Sequence, residues 1–162
     1  MAEQFSTRRL EFVDAGASFP YVDHQYWAVL VGISEYKNSS WKLNYAHRDA
    51  EELYKQLLEL KGARFQDKQI VNLFEEKRIR KLVNQEATTA NITDALRDFL
   101  QKPGENDVVF LFFACHGAPD PNRTENLYLL THDTDPERIA GTALPMREIR
   151  DAVRENLRAN KR

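Results

Sequence analysis

The sequence predicts an α/β fold, a doubly wound and mostly parallel sheet with helices on both faces. Residues 26–33 and 108–114 form two unbroken apolar runs of strand length, the signature of strands buried on both faces of a parallel sheet. Segments with apolar residues at helical spacing alternate with these runs. Strand, helix, strand, helix, strand in succession builds βαβ units, whose crossovers place helices on the two faces.

Residues 1–25 form an N-terminal arm, with a candidate edge strand at Leu10-Glu11-Phe12-Val13, and residues 26–162 form the domain proper. Residues 26–33 are the first strand, and a polar loop over 34–42 follows. Ala46, Ala50, Leu53, Leu57 and Leu60 then recur at intervals of four and three, which predicts a helix with Asn44 as N-cap and Gly62 as stop. Ile70-Val71-Asn72-Leu73-Phe74 is a third strand, and residues 75–81 read as a solvated segment of mixed charge. Ile92, Ala95, Leu96, Phe99 and Leu100 form one apolar helix face, ended by Pro103-Gly104. The run at 108–114 is placed as the central strand. After a polar loop over 118–125 comes a short strand, Leu127-Tyr128-Leu129-Leu130, and Asp133-Thr134-Asp135-Pro136 turns the chain. Pro145 starts a final helix with Met146, Ile149, Val153 and Leu157 on one face. That helix should lead to one more strand beyond Arg162, so the sheet is expected to be incomplete.

Composition narrows the function. The 162 residues fit one domain with a proper core, and 42% hydrophobic with 30% charged is ordinary for a soluble globular protein. With 23 basic and 25 acidic residues, a net charge of -2 gives no field to attract nucleic acid or an anionic membrane. A single cysteine permits no internal disulfide, and the N-terminus lacks an apolar segment of signal-peptide length. A cytoplasmic protein is expected, with neither nucleic acid nor membrane as partner.

The apolar run stops abruptly at Cys115-His116-Gly117. His116 falls at the carboxyl end of its strand, where loops of open α/β sheets form the ligand crevice. Histidine there is a candidate general base, and a histidine that merely bonds a nearby carbonyl is the plain alternative. Gly117 lacks a Cβ, so a substrate can approach its N–H, a candidate oxyanion donor. Cys115 and His116 point to opposite faces of a strand and do not make a nucleophile–base pair, so Cys115 reads as a packing residue. Trp41 reads either as a surface aromatic or as the lining of a substrate pocket. His24, His47 and His132 lack the spacing of a zinc site.

Phe112-Phe113-Ala114-Cys115-His116-Gly117 resembles the strand-end His-Gly motif of caspase-like cysteine peptidases, a group that includes metacaspases, paracaspases and bacterial relatives. Trp27-Ala28-Val29-Leu30-Val31-Gly32-Ile33 resembles the family's first strand. Leu43-Asn44-Tyr45-Ala46-His47-Arg48-Asp49-Ala50-Glu51-Glu52-Leu53 resembles its loop and first helix. Asn126-Leu127-Tyr128-Leu129-Leu130 with Asp133-Thr134-Asp135, and Thr142-Ala143-Leu144-Pro145, complete five segments in the family's order. The resemblance implies a caspase-like fold and a cysteine endopeptidase in which His116 is the base and Gly117 the backbone oxyanion donor. Asp49 resembles part of the acidic S1 pocket of relatives that cut after arginine or lysine, where a carboxylate would hold the cationic P1 side chain. Taken alone, Asp49 is a first-turn acid complementing the helix dipole. No cofactor is implied. Calcium-dependent metacaspases point to Asp133 and Asp135 as cation ligands, which an Asp-Thr-Asp-Pro turn explains without a metal.

In caspases the catalytic histidine lies ~50 residues upstream of the nucleophilic cysteine, which from His116 points to about position 166, beyond Arg162. The nucleophile is therefore expected on a second chain or C-terminal fragment that also carries the next strand, and this chain alone is expected to be inactive. Processing, truncation and natural loss of catalysis all account for the absence. With an acidic S1 pocket, Lys161-Arg162 has the form of the enzyme's own cleavage site. The expected function is the large-subunit-type portion of a caspase-like endopeptidase that cuts protein or peptide substrates after arginine or lysine. The alternative is a catalytically inactive caspase-like interaction module. An unrelated nucleotide-binding domain is weakened, because Ser34-Glu35-Tyr36-Lys37 follows the first strand in place of a Gly-x-Gly loop.

Overall fold

The computed structural model describes residues 24–63, 70–120 and 123–158; the candidate strand at Leu10-Glu11-Phe12-Val13 and the Lys161-Arg162 dipeptide lie outside them. The elements run β1 (Tyr26–Gly32), α1 (Ala46–Glu59), β2 (Lys61–Ala63), β3 (Ile70–Asn72), β4 (Phe74–Val83), α2 (Thr89–Arg97), β5 (Val108–Ala114), β6 (Gly117–Pro119), β7 (Leu127–Leu129), α3 (Ile139–Thr142), β8 (Leu144–Pro145) and α4 (Met146–Arg158). β1 lies between β4 and β5 in a parallel sheet. β2 and β3 pair antiparallel, and β6, β7 and β8 form a second antiparallel sheet.

Side chains of β1 alternate between two cores, as a pleated strand requires. Trp27, Val29 and Val31 pack with Ile92, Ala95 and Leu96 of α2 and Ala152 of α4. Ala28 and Leu30 pack with Leu57 of α1 and with Phe74. Helices therefore cover both faces, in keeping with the α/β expectation. Gly32 sets how closely α1 docks: a Cβ there would lie 2.4 Å from the Ala46 carbonyl oxygen and 2.6 Å from the Ala50 Cβ.

Among the described residues β5 stands at the border of the sheet, where its apolar run predicts a central strand with one more strand expected beside it. It pairs with β1 alone, and Val108 and Phe110 stay 42% and 39% exposed. An apolar run reports what covers a strand's faces and is silent about its edges. Phe112 packs on the α1 side and Val109, Leu111 and Phe113 on the α2 side, while the outer edge meets no strand among the described residues.

Residues 75–81 are largely solvated as expected, with Glu75, Glu76, Lys77 and Arg80 exposed, yet they form most of β4, at the opposite edge of the sheet, a strand that their charge pattern does not predict. Edge strands accept charge, and long cationic side chains can lay their stems on apolar surface while their heads reach water. Arg78 lies over the Trp27 ring at 5.9 Å, Arg80 over Phe99 at 5.7 Å and Lys81 over Tyr54 at 4.8 Å. The third predicted strand divides accordingly: Ile70–Asn72 pairs with β2, and Phe74 begins β4.

Several element ends also shift. Tyr45, not Asn44, holds the N-cap position of α1 and makes no side-chain cap; the His47 N–H donates instead to Ser34 Oγ, at 3.1 Å, from the loop after β1. The helix stops at Leu60, and Gly62 enters β2. Thr88 caps α2, and Phe99 and Leu100 continue it as a 3-10 turn. The predicted polar loop begins as part of β6, which pairs with β7. Pro145 belongs to β8, and α4 starts at Met146, which is 40% exposed while Ile149 packs against the core. The Leu157 side chain lies outside the described set.

Candidate active site

His116 follows β5 at its carboxyl end and is half-buried. Its main-chain N–H donates to the Tyr36 hydroxyl at 2.9 Å, and its carbonyl accepts the Leu130 N–H at 2.9 Å. Its Nε2 lies 2.9 Å from the Trp41 carbonyl oxygen. A carbonyl can only accept, so Nε2 carries the proton and, in the neutral ring, Nδ1 keeps its lone pair. The imidazole thus has its base nitrogen defined by a main-chain atom. The Tyr36 ring lies 5.5 Å from the His116 ring and 5.9 Å from the Trp41 ring, the latter contact edge-on. Burial raises the Tyr36 phenol to about 12, so it stays a neutral partner.

Tyr36 and Trp41 reach His116 on the loop that follows β1, and neighbouring strands hold that loop down. Asn84, directly after β4, has φ 46°, a left-handed conformation that asparagine tolerates. Its Oδ1 accepts the N–H groups of Ser34 at 2.9 Å and Glu35 at 3.1 Å. The Lys37 N–H donates to the His132 carbonyl at 2.9 Å, and the Leu43 N–H to the Ser34 carbonyl at 2.9 Å. Sequence reasoning does not find Tyr36, Asn84 or the Trp41 carbonyl. The available signals were an asparagine at a strand's end and two aromatics in an otherwise polar loop; a main-chain carbonyl leaves no signal.

Gly117 is exposed, and its φ is not positive. A Cβ there would meet only the Tyr128 carbonyl, at an ordinary 3.5 Å, so the chain's own packing does not demand glycine. The His116 N–H goes to Tyr36 while the His116 carbonyl bonds Leu130, so Gly117 and Leu129 face each other as a non-hydrogen-bonded pair. That register turns the Gly117 N–H away from β7.

Asp49 is exposed in the first turn of α1, with no hydrogen bond or ion pair to its carboxylate among the described residues. The structure brings Tyr36 and Trp41 to His116, and does not bring Asp49 into contact with it. Cys115 packs against the core as a half-buried side chain, and burial pushes its thiol up to about 11. At neutral pH that leaves about one thiolate in ten thousand, the opposite of an activated nucleophile. Asp133 Oδ1 accepts the Thr89 N–H and the Thr131 hydroxyl, both at 2.9 Å, and Asp135 caps the 3-10 turn through the Glu137 N–H. Both acids thus serve the turn and the start of α2. Among the described residues, no three His, Cys, Asp or Glu side chains cluster to hold a metal. No described helix is long and apolar enough to cross a membrane.

The sequence that builds this sheet and these helices is matched by a known domain. The caspase domain family model covers residues 25–158. The chain belongs to the caspase domain family. Among solved structures, this caspase domain is similar to the protein GSU0716 from Geobacter sulfurreducens, at a TM-score of 0.58 and 19% identity. The similarity covers 80% of this chain and 44% of that one, and at such identity it shows the fold alone. The chain therefore spans less than half the length of that protein. No curated protein matches it. Membership in a cysteine peptidase family gives the strand-end histidine a chemical context, and in this caspase domain the lone cysteine of the sequence packs half-buried against the core.

Proposed function

We propose that this caspase domain is the large-subunit-type portion of a cysteine endopeptidase. The observation that carries the reading is the Nε2 contact of His116 with the Trp41 carbonyl, which leaves Nδ1 as the unprotonated nitrogen of the neutral ring. His116 Nδ1 would take the proton of a thiol supplied by a C-terminal segment and later return it to the leaving amine. The Gly117 N–H would hold the tetrahedral oxyanion. Asp49, whose carboxylate meets no partner among the described residues, would pair with an arginine or lysine at P1. The segment bearing the thiol would also add a strand beside β5, whose outer edge meets no strand among the described residues. Cleavage after Lys161-Arg162 would suit the same P1 preference.

The experiment is hydrolysis of fluorogenic peptides with arginine, lysine or aspartate at P1 by the complete gene product, combined with intact-mass analysis. The reading expects turnover of arginine and lysine peptides, blocked by thiol alkylation and reduced by about a thousandfold or more in His116→Ala. A second reading is favoured by the position of Cys115, which is the only cysteine of these residues and is held as a thiol. It makes the domain an inactive interaction module, and a complete gene product with no second cysteine and no turnover would establish it.

A further inference from the structure

We propose that His132 is a positioning residue: its ring and main chain pin the loop after β1, and through that loop they set the imidazole of His116. His132 stands in the turn that leaves β7 and is half-buried. The consequence for catalysis rests on the peptidase reading, whereas the positioning itself does not.

His132 holds the loop on both sides of Tyr36. Its ring Nδ1 lies 2.6 Å from the Glu35 carbonyl oxygen, and its own carbonyl accepts the Lys37 N–H at 2.9 Å. A carbonyl can only accept, so His132 carries its ring proton on Nδ1, the opposite tautomer to His116. Bonds at residues 35 and 37 fix the main chain of Tyr36 between them, and the buried Tyr36 offers its hydroxyl to the His116 N–H. The same loop runs on to the Trp41 carbonyl that meets His116 Nε2. His132 is itself fastened, because its N–H donates to the Ala87 carbonyl at 3.0 Å. Two residues earlier, the Leu130 N–H donates to the His116 carbonyl at 2.9 Å. Residues 130–132 thus grip His116 directly at its carbonyl and, through the loop, at its amide and ring. The links through Lys37, Ala87 and Leu130 are main-chain bonds that any residue at 132 can make, so the imidazole is what the sequence adds.

The test is long-range proton–nitrogen correlation of the ring nitrogens in the full chain. With both rings neutral, His132 should show a protonated Nδ1 and His116 a protonated Nε2. In His132→Ala the His116 signals should move toward a mixture of tautomers, and exchange at the His116 amide should quicken by about tenfold. His132→Asn, whose amide N–H can take the place of the ring Nδ1–H, should restore both. Ile149→Ala, which loosens the core beneath α4, should lower the unfolding midpoint and leave the His116 signals as they are. In the complete gene product acting on an arginine peptide, His132→Ala should lower kcat by about tenfold with KM unchanged. A gene product silent toward every peptide would sink the peptidase reading, and the spectra of this chain would still decide the positioning. An Nε2–H tautomer at His132 in the unsubstituted chain overturns the proposal before any variant is made. Unchanged His116 signals in His132→Ala overturn it too, as does an equal change in Ile149→Ala.

Discussion

Trp41 and His116 meet through a main-chain atom: the Trp41 carbonyl oxygen lies 2.9 Å from His116 Nε2. The contact is independent of the indole, so any residue at position 41 that keeps the loop's path preserves the imidazole's orientation.

That geometry fixes a tautomer. Neutral His116 should carry its proton on Nε2, giving an Nδ1 nitrogen signal of the unprotonated type in long-range proton–nitrogen correlation spectra. An Nδ1–H tautomer would show that the Trp41 carbonyl does not hold the ring.

Tyr36→Phe keeps the ring contacts with Trp41 and His116 but removes the oxygen that accepts the His116 N–H. An orphaned, partly buried donor should cost about 1–3 kcal/mol. Urea unfolding checks the stability, and hydrogen exchange at the His116 amide should quicken. An unchanged unfolding midpoint would mean that water replaces the phenol without loss.

Burial raises the Cys115 thiol to about 11 from a usual 9.0. The folded chain keeps a proton that the unfolded chain gives up, so this contribution is intact below about pH 9 and is lost as pH rises to about 11. The loss amounts to about 2–3 kcal/mol. Unfolding midpoints measured across that window should fall with pH, and Cys115→Ala should flatten the fall. Tyr36, raised to about 12, adds a further decline at the upper end.

Gly32→Ala would set a Cβ 2.4 Å from the Ala46 carbonyl oxygen, a backbone atom that cannot move without α1. A destabilisation of about 2–4 kcal/mol is expected by thermal unfolding. Chemical shifts over the loop leading to Trp41 should change with it, because that loop runs directly into α1.

The legible parts of the fold were those written in side-chain periodicity. Trp27, Val29 and Val31 on one side of β1 and Ala28 and Leu30 on the other gave a strand buried on both faces, and Ala46, Ala50 and Leu57 gave α1. β4 was hidden because Glu75, Lys77, Arg78 and Arg80 read as solvated, while its pairing with β1 and the rings beneath Arg78 and Arg80 leave no mark in the charge pattern. Edges were hidden too, since hydrogen-bond partners across strands have no side-chain signature. At the site, His116 was readable from its place at a strand's end. Its partners were not: Asn84 acts by binding two main-chain amides, and Trp41 by its own carbonyl.

The two borders of the parallel sheet differ in what they present to another protein. β4 carries Glu75, Glu76, Lys77, Arg78, Arg80 and Lys81 along its length, whereas β5 is apolar throughout and leaves Val108 and Phe110 exposed. Growth of such a sheet by copying itself is one-directional. Two molecules meeting through β5 would turn only charged borders outward, and a third would find nothing to extend. Where no C-terminal strand covers β5, self-association by this route would end at a pair.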